Sequence, residues 1–458
     1  MSRWSARWGR WFLGGRRTPW AGLGESASDV RSLGHLAREV NSIPDEVLCE
    51  PTPWGEEALA EGVIDFRRGA IRSVSFLPPS HSSNALPPAG GCWELRVAVA
   101  ARYAQSSGIS AQNVLITLGG SGALSLALAA CVNPGDRVVL FDPCSPLFVW
   151  GARSRRARLE WVPTWVEEGW CRFPRALLER VMRRARMLVL ADPVNPTGAV
   201  FHPEDRAYIA WLAAAYEVLL YVDEAFAALH PRSESAGWEA IPGIRPHLLL
   251  AGSLGWSHNL RGWRVGWLIG PEVLLRACQA LQNLQAALVP TPCQFLAAAC
   301  LEESRGEREP WALFRRWDKQ RQQALDLLRR WGLESGDSGH GGFLWVSTAA
   351  LGIDGRRWAE VLERDYGLRV LPGELCGPSG QKMIRLCRLQ HPGQWEEGLN
   401  RLSRCLAEWN GSAPRLKAAF GSSLQREAEG VTGQRPPKRE PNRACTSAEA
   451  RTISDMLG

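Results

Sequence analysis

Short apolar runs alternate with amphipathic stretches along the chain between residues 35 and 410. The runs are often β-branched and are bounded by Gly, Pro or Asp, which is typical of buried strands. They predict strands at Val114–Leu118, Val138–Phe141, Met187–Ala191, Leu219–Val222, His247–Ala251 and Val265–Ile269, with a later strand at Gly341–Ser347. The stretches predict helices at Leu124–Cys131, Arg175–Arg184, Pro203–Tyr216, from Pro271 into the 290s, and at Pro392–Glu408. Strands and helices that alternate in this way predict an α/β protein.

The two ends of the chain differ from this middle zone. Residues 411–458 are polar and include a Pro- and Arg-rich stretch at Gln434–Pro441, which predicts a disordered tail. Residues 1–34 are rich in Gly, Arg, Ser and Trp, and the first 24 contain five arginines and no acid. Such a start is typical of an organellar transit peptide, and the alternative is a plain disordered extension. We therefore expect a cytoplasmic protein, or an organellar one if residues 1–34 are a targeting segment.

Composition excludes several classes of function. The chain carries a net charge of +7, nearly all from arginine, but no dense basic stripe with interleaved aromatic residues, so we expect no nucleic-acid partner. Its 12 cysteines are scattered without a Cys-x-x-Cys pair, which is typical of reduced thiols rather than of disulfides or a metal site. No apolar run approaches the roughly 18 residues that a membrane span needs, so no membrane association is predicted.

Three segments that follow predicted strands contain candidate binding residues. The Gly-rich segment Thr117–Leu124 lies before a helix, where backbone N–H groups can bind a phosphate, although such turns also occur for packing alone. In Ala191–Gly198, Asn195 stands between two prolines on a stiffened loop. Asp223 and Glu224 directly follow a buried strand. By themselves these acids fit a metal ligand, a helix cap or a counter-ion for a protonated ring nitrogen, and the cap is the commonest of the three.

A fourth segment, Leu250–Trp267, resembles the Ser-x-Ser-Lys-(x)5-Gly-x-Arg-x-Gly signature of class I aminotransferases. Together with the three segments above, in this order, it indicates a resemblance to class I/II aminotransferases, which are fold-type I pyridoxal-phosphate enzymes. The resemblance covers roughly residues 80–410. It implies a three-layer α/β/α large domain with a mostly parallel sheet, plus a smaller α+β domain. In this division residues 35–90 and 301–410 form the small domain, and residues 91–300 form the large, cofactor-binding domain.

The resemblance also implies roles for individual residues. Those assigned to the phosphate of the cofactor, pyridoxal 5'-phosphate, are Gly119, Gly120, Ser121, Ser253 and Arg264. Asn195 matches the residue that hydrogen-bonds the phenolic oxygen of the cofactor, and Asp223 matches the carboxylate that pairs with its ring nitrogen. Arg385 matches the arginine that binds the α-carboxylate of the substrate, and the alternative for Arg385 is a structural role at a strand edge. No metal site is implied.

The chain departs from the family pattern at its reactive position. Trp256 stands where the family has the lysine that binds the cofactor covalently and moves the α-proton. Phe226 replaces a Tyr that reaches the cofactor, Ser145 replaces an aromatic residue that stacks on its ring, and Leu86 or Asn84 falls where a further Tyr is expected. None of the four lysines of the chain lies at a substitute position in the sequence. His258 is a weak candidate for a replacement base, because its offset of two residues from Trp256 directs its side chain elsewhere.

Two functions follow from this pattern. The first is an aminotransferase-like protein that binds pyridoxal phosphate non-covalently, if at all, with transamination of an amino acid impaired or lost. The alternative is a non-enzymatic pseudoenzyme subunit or scaffold that pairs with an active homologue. We expect a homodimer, or a heterodimer with a homologue, and an amino-acid or keto-acid substrate if activity remains.

Overall fold

The computed structural model describes residues 62–67, 86–103, 108–165, 169–170, 172–227, 237–258, 260–285, 288–303, 308–336 and 341–409. The predicted extension at residues 1–34 and the predicted tail at 411–458 lie outside these ranges. The described residues up to Ser403 belong to one compact unit, and residues 404–409, which end the last helix, belong to a second. No helix in the described ranges is long and apolar enough to cross a membrane.

Strands and helices alternate through most of the described chain. The strands are β1 (Ile64–Asp65), β2 (Val114–Leu118), β3 (Arg137–Asp142), β4 (Arg158–Pro163), β5 (Met187–Ala191), β6 (Leu219–Asp223), β7 (Leu248–Ser253), β8 (Val265–Ile269), β9 (Ser335–Gly336), β10 (Phe343–Ser347), β11 (Leu368–Arg369), β12 (Leu371–Pro372) and β13 (Met383–Cys387). The α-helices are α1 (Trp93–Ala101), α2 (Gly119–Cys131), α3 (Pro146–Ser154), α4 (Arg175–Met182), α5 (Pro203–Ala215), α6 (Leu254–Ser257), α7 (Glu272–Gln285), α8 (Thr291–Glu303), α9 (Arg308–Arg330), α10 (Gly355–Tyr366) and α11 (392–409).

The central sheet has seven strands in the order β2-β8-β7-β6-β5-β3-β4. Strands β7, β6, β5, β3 and β4 are mutually parallel, and β8 runs antiparallel to both of its neighbours. Both faces are covered, because Leu188 and Leu190 of β5 join one apolar cluster while Val189 and Ala191 join the other. Helices α1, α4, α5 and α8 contribute to the first cluster, and α2, α3 and α7 contribute to the second. The predicted three-layer α/β/α architecture with a mostly parallel sheet is confirmed.

A second, antiparallel sheet follows later in the chain, with strand order β12-β13-β10-β9. Helix α10 contributes buried Trp358 and Leu362 beside it. The short strand β1, from the N-terminal part of the chain, pairs in parallel with β11. This arrangement has the α+β character expected of the smaller domain, and the residue boundaries of the two domains stay predictions.

Two predicted elements differ from the structure. Helix α2 begins at Gly119, so the Gly-rich residues form its first turn instead of a loop before it. The predicted helix from Pro271 into the 290s is two helices, α7 and α8. Pro290 and Pro292 lie at the start of α8, and proline lacks the N–H group that would continue an earlier helix.

Candidate functional site

The first part of the site is the junction between β2 and α2. Gly119 has a left-handed backbone with a φ of +71°, and a Cβ there would lie 2.7 Å from Nη2 of Arg264. A Cβ on Gly266 of β8 would lie 2.5 Å from the backbone carbon of Gly119. These two glycines therefore let the start of α2 approach β8 and the Arg264 side chain, an approach that side chains at either position would prevent.

Arg264 completes this junction. It follows the 3-10 helix Arg261–Trp263 in a left-handed conformation with a φ of +54°. Its guanidinium donates hydrogen bonds to Ser121 Oγ at 2.8 Å and to the Leu118 carbonyl at 3.3 Å, and burial lowers the pKa of Arg264. Ser253 belongs to the same group, since a Cβ on Gly120 would lie 3.9 Å from its Oγ. The structure thus brings a helix N-terminus, two serines and a guanidinium together, a combination suited to a phosphate.

Asp223 is the last residue of β6, and Asn195 lies in the loop that follows the adjacent strand β5, which ends at Ala191. Asp223 Oδ1 accepts a hydrogen bond from the Ala225 N–H at 2.8 Å. The side chain is partly accessible, yet surrounding protein atoms raise the pKa of Asp223 to about 6 through desolvation. Asn195 Oδ1 accepts a hydrogen bond at 3.1 Å from Arg385, which lies buried on β13 of the second sheet. Three predicted site residues thus come from two sheets, and Arg385 lies within its strand rather than at the end of it.

Trp256 lies in the short helix α6, which begins directly after Ser253. Its indole packs on Phe226 with ring centroids 5.2 Å apart and meets Phe343 nearly edge-on at 5.8 Å. The guanidinium carbon of Arg261 lies 4.8 Å from the centroid of the Trp256 ring. We call Phe226, Trp256 and Phe343 the aromatic cluster. Its tryptophan lies on the short helix that begins directly after Ser253 of the anion-binding junction.

The other sequence candidates lie outside these contacts. His258 is buried, and its Nδ1 lies 2.8 Å from Ser257 Oγ. Desolvation, with a smaller effect of nearby Arg102, lowers the pKa of His258 to about 4. Ser145 is buried at the start of α3, and Leu86 is 83 % exposed, whereas Asn84 lies outside the described residues.

No lysine in the described part of the chain is buried. Lys319 on α9 and Lys382 before β13 are both exposed, and the other two lysines lie beyond the described residues. No group of three or more His, Cys, Asp or Glu within the described ranges is placed to hold a metal ion. The Asp223–Ala225 hydrogen bond joins residues two apart in a turn, the local contact that an Asp side chain makes in an Asx turn.

Sequence reasoning missed Arg261 and Phe343 as residues of this site. Phe343 lies in a predicted strand, but its contact with Trp256 joins elements far apart in the chain. Arg261 lies within Leu250–Trp267, at a position to which the family signature assigns no particular residue. The only feature of the sequence that could have indicated it is the positive charge directly before Gly262.

Glu224, the second acid of the pair, lies in a different environment from Asp223. Its Oε2 accepts a hydrogen bond from the Tyr103 hydroxyl at 3.1 Å, and Trp267 Nε1 donates to that hydroxyl at 3.3 Å. Desolvation, followed by the charge of Glu239, raises the pKa of Glu224 to about 8. The carboxyl of Glu224 is therefore protonated at neutral pH.

Substitution Glu224→Gln should remove a pH dependence of stability. Because the pKa of Glu224 is about 8 in the folded chain and about 4.5 in the unfolded chain, the unfolded chain loses this proton first, so stability falls as the pH rises from about 4.5 towards 8. We expect the variant to melt roughly 3–6 °C higher than the natural chain at pH 8 and to differ much less at pH 5. Thermal unfolding at both pH values measures this. Glu334→Gln, at an exposed position, is the control, and an equal shift at both pH values would contradict the prediction.

With this geometry established, comparison with known proteins defines the class. A family model for aminotransferase class I and II matches residues 70–402, and the chain belongs to that family. Family members use pyridoxal phosphate as cofactor. The chain is 24% identical to the putative aminotransferase YugH of Bacillus subtilis over 76% of its own length and 93% of that protein. It is 29% identical to the arginine–pyruvate transaminase AruH of Pseudomonas aeruginosa, over 70% and 81% of the two chains.

A solved structure shares the fold. The N-succinyldiaminopimelate aminotransferase of Mycobacterium tuberculosis matches with a TM-score of 0.71 and 23% identity, over 80% of this chain and 99% of that one. At this identity the similarity concerns the fold alone.

Proposed function

We propose that this aminotransferase-family protein binds pyridoxal phosphate non-covalently and that its transamination of amino acids is impaired or lost. The observation that carries the proposal is Trp256, whose indole packs in the aromatic cluster beside an intact anion-binding junction. The junction supports binding of the cofactor. The indole argues against the covalent chemistry that a lysine performs there.

The binding residues fit the cofactor group by group. The space left by Gly119 and Gly120, together with Ser121, Ser253 and Arg264, suits the phosphate, because a Cβ at residue 119 would collide with the guanidinium. In our proposal Asp223 pairs with the ring nitrogen, and Asn195 with the phenolic oxygen. When bound, the cofactor supplies an electron sink for chemistry at an amino-acid α-carbon. Arg385, which already donates to Asn195, holds the carboxylate of an amino or keto acid.

The residue at position 256 decides the chemistry. An indole N–H is only a hydrogen-bond donor, so Trp256 neither attacks a carbonyl carbon nor removes a proton. Loss of a positioned general base alone costs about 10²–10⁴-fold in rate. His258 is neutral at pH 7, given its pKa of about 4, but it is buried against Ser257 rather than in the aromatic cluster.

A second candidate function is that of a non-enzymatic subunit, paired with itself or with an active homologue. It is favoured by the internal hydrogen bonds of the site. Arg264 donates to Ser121 and Leu118, and Arg385 donates to Asn195, so hydrogen bonds within the protein orient these side chains and give them a structural role. A chain that fails to bind pyridoxal phosphate would favour this subunit function over the first proposal.

Titration of the purified chain with pyridoxal phosphate separates the two functions. We expect a saturable change in the absorbance of the cofactor that borohydride reduction does not convert into a stable adduct on any site peptide. Peptide mass spectrometry locates adducts on exposed lysines, and Lys319→Arg with Lys382→Arg serves as the control for them. A reduced adduct at a single lysine, with loss of the saturable change when that lysine is replaced by arginine, would contradict the proposal. No saturable change would favour the subunit function.

A further inference from the structure

Glu224 directly follows Asp223, and the two side chains leave the backbone in opposite directions. Along β6 the residues alternate between the two faces of the sheet, with Tyr221 in the second apolar cluster and Val222 in the first. Asp223 continues on the face of Tyr221. The Glu224 N–H donates to the Ala251 carbonyl of β7 at 2.8 Å, so the backbone keeps its strand-like course and places the Glu224 side chain on the face of Val222.

Two buried hydrogen bonds hold the carboxyl of Glu224 on that face. The Tyr103 hydroxyl donates to Glu224 Oε2 at 3.1 Å and accepts a hydrogen bond from Trp267 Nε1 at 3.3 Å. Tyr103 and Trp267 are both buried in the first apolar cluster. Trp267 of β8 packs where Gly252 of β7 leaves room, because a Cβ on that glycine would lie 2.5 Å from the indole ring. The side chain of Glu224 is therefore anchored to a closely packed part of the central sheet.

The same residue forms the centre of the turn that orients Asp223. Asp223 Oδ1 accepts from the Ala225 N–H at 2.8 Å, and the Glu224 carbonyl accepts from the Ala227 N–H at 2.9 Å. A shift of the Glu224 side chain would rotate the peptide group that it shares with Asp223. Because hydrogen bonds weaken steeply as their angles depart from linearity, a small rotation is enough to misdirect the Asp223 carboxylate.

We propose that Glu224 and Tyr103 are positioning residues for Asp223, and that the hydrogen bond between them fixes the turn from which Asp223 meets the ring nitrogen of pyridoxal phosphate. The inference rests on the proposed function for the role of Asp223, whereas the roles of Glu224 and Tyr103 come from their own hydrogen bonds. It assigns a part in cofactor recognition to Tyr103, which lies outside the four segments that resemble the family.

The test compares pyridoxal phosphate with its deaza analogue, in which a C–H group replaces the ring nitrogen. Calorimetric titration of the full chain at pH 7 gives the ratio of the two affinities, and the aldehyde reacts with exposed lysines alike in both compounds. The natural chain should bind pyridoxal phosphate more tightly by roughly tenfold or more, the effect of one hydrogen bond to a charged group. Asp223→Ala should abolish this preference. Tyr103→Phe should lower the ratio by about threefold or more, as expected for residues coupled in one hydrogen-bond network.

Tyr103→Phe separates the hydrogen bond from the charge of Glu224. The bond from Tyr103 lowers the pKa of Glu224, so its loss leaves the carboxyl more firmly protonated and adds no charge beside Asp223. Glu224→Gln keeps an oxygen that accepts from the Tyr103 hydroxyl and should retain the natural ratio. Tyr216→Phe is the matched control, because the Tyr216 hydroxyl donates to Glu179 at 2.8 Å away from the site, and it should leave the ratio unchanged.

An equal loss of affinity for both compounds in Tyr103→Phe would limit the tyrosine to a structural role and overturn the inference. A ratio that is natural in Tyr103→Phe but abolished in Asp223→Ala would likewise overturn the inference, and it would leave the proposed function standing. A natural chain that binds neither compound would overturn the proposed function and the inference with it.

Discussion

Replacing Trp256 with lysine should produce a chain that pyridoxal phosphate labels at residue 256 after borohydride reduction. The position follows Ser253 in α6 and shares the segment with Arg264, so a primary amine there has the place that the family signature gives it. Since the partly buried indole would leave the aromatic cluster, we expect a loss of about 1–3 kcal/mol in the free energy of unfolding. Mass spectrometry of the reduced peptide and denaturant unfolding measure the two effects.

Trp211→Lys is the matched control, because Trp211 is 56 % exposed on α5 and its indole stacks on the partly buried Tyr208. It should give no adduct beyond that of other exposed amines. Saturable cofactor binding by Trp256→Lys without a reducible adduct would show that residue 256 is not the lysine position. If the adduct forms but transaminase activity does not appear, Ser145 and Phe226 become the next positions to restore to aromatic residues with a hydroxyl.

Removing the Arg264 side chain should weaken binding of pyridoxal phosphate by about 30-fold or more, the cost of deleting one partner of a buried, charge-assisted contact. Arg264 has a left-handed backbone with a φ of +54°, so Arg264→Gly and Arg264→Ala form an informative pair. Both lose the guanidinium, but glycine also relieves about 1 kcal/mol of backbone strain. We expect equal losses of cofactor affinity and a more stable glycine variant, by absorbance titration and thermal unfolding.

Arg276→Ala controls for the general effect of removing a positive charge, since Arg276 is exposed on α7. Cofactor affinity that is the same in the natural chain and in both Arg264 variants would contradict the phosphate role. The hydrogen bonds from Arg264 to Ser121 and Leu118 would then be its whole contribution.

Four of the five parallel strands can be predicted from the sequence because both faces of the sheet are covered there, whereas β4 at the edge of the sheet is mostly partly exposed and has no apolar run that predicts it. Met187–Ala191 and Leu219–Asp223 are consequently apolar at nearly every position, which leaves little ambiguity about their course. The start of α2 is harder to predict. Its glycines have the lowest helix propensity short of proline, and they are helical because packing against β8 and Arg264 overrides that propensity.

Some residues of the candidate site can likewise be predicted from the sequence, whereas others are found only in the structure. The positions of Asn195 and Asp223 can be predicted from the sequence, because Asp223 ends a buried strand and Asn195 lies in the loop just after another. The contacts of Phe343 and Arg261 with Trp256 depend on tertiary packing between separate segments, which no periodicity reports. The internal bonds of Arg264 and Asn195 are equally invisible in the sequence. Through these hydrogen bonds both residues also contribute to the folded structure.

The contact between Gly119 and Gly266 joins the anion-binding junction to β8, the second strand of the central sheet. A library of variants would therefore report these two positions as sensitive even under selection for expression level alone. Position 256 would be less sensitive under that selection than the two glycines, because Trp256 is only partly buried and its exchange costs about 1–3 kcal/mol without a backbone collision. Gly119 and Gly266 are thus constrained by the fold, whereas the residue at position 256 is constrained mainly by the chemistry it performs. A substitution at position 256 can therefore change catalysis in a protein of this fold while the fold itself is retained.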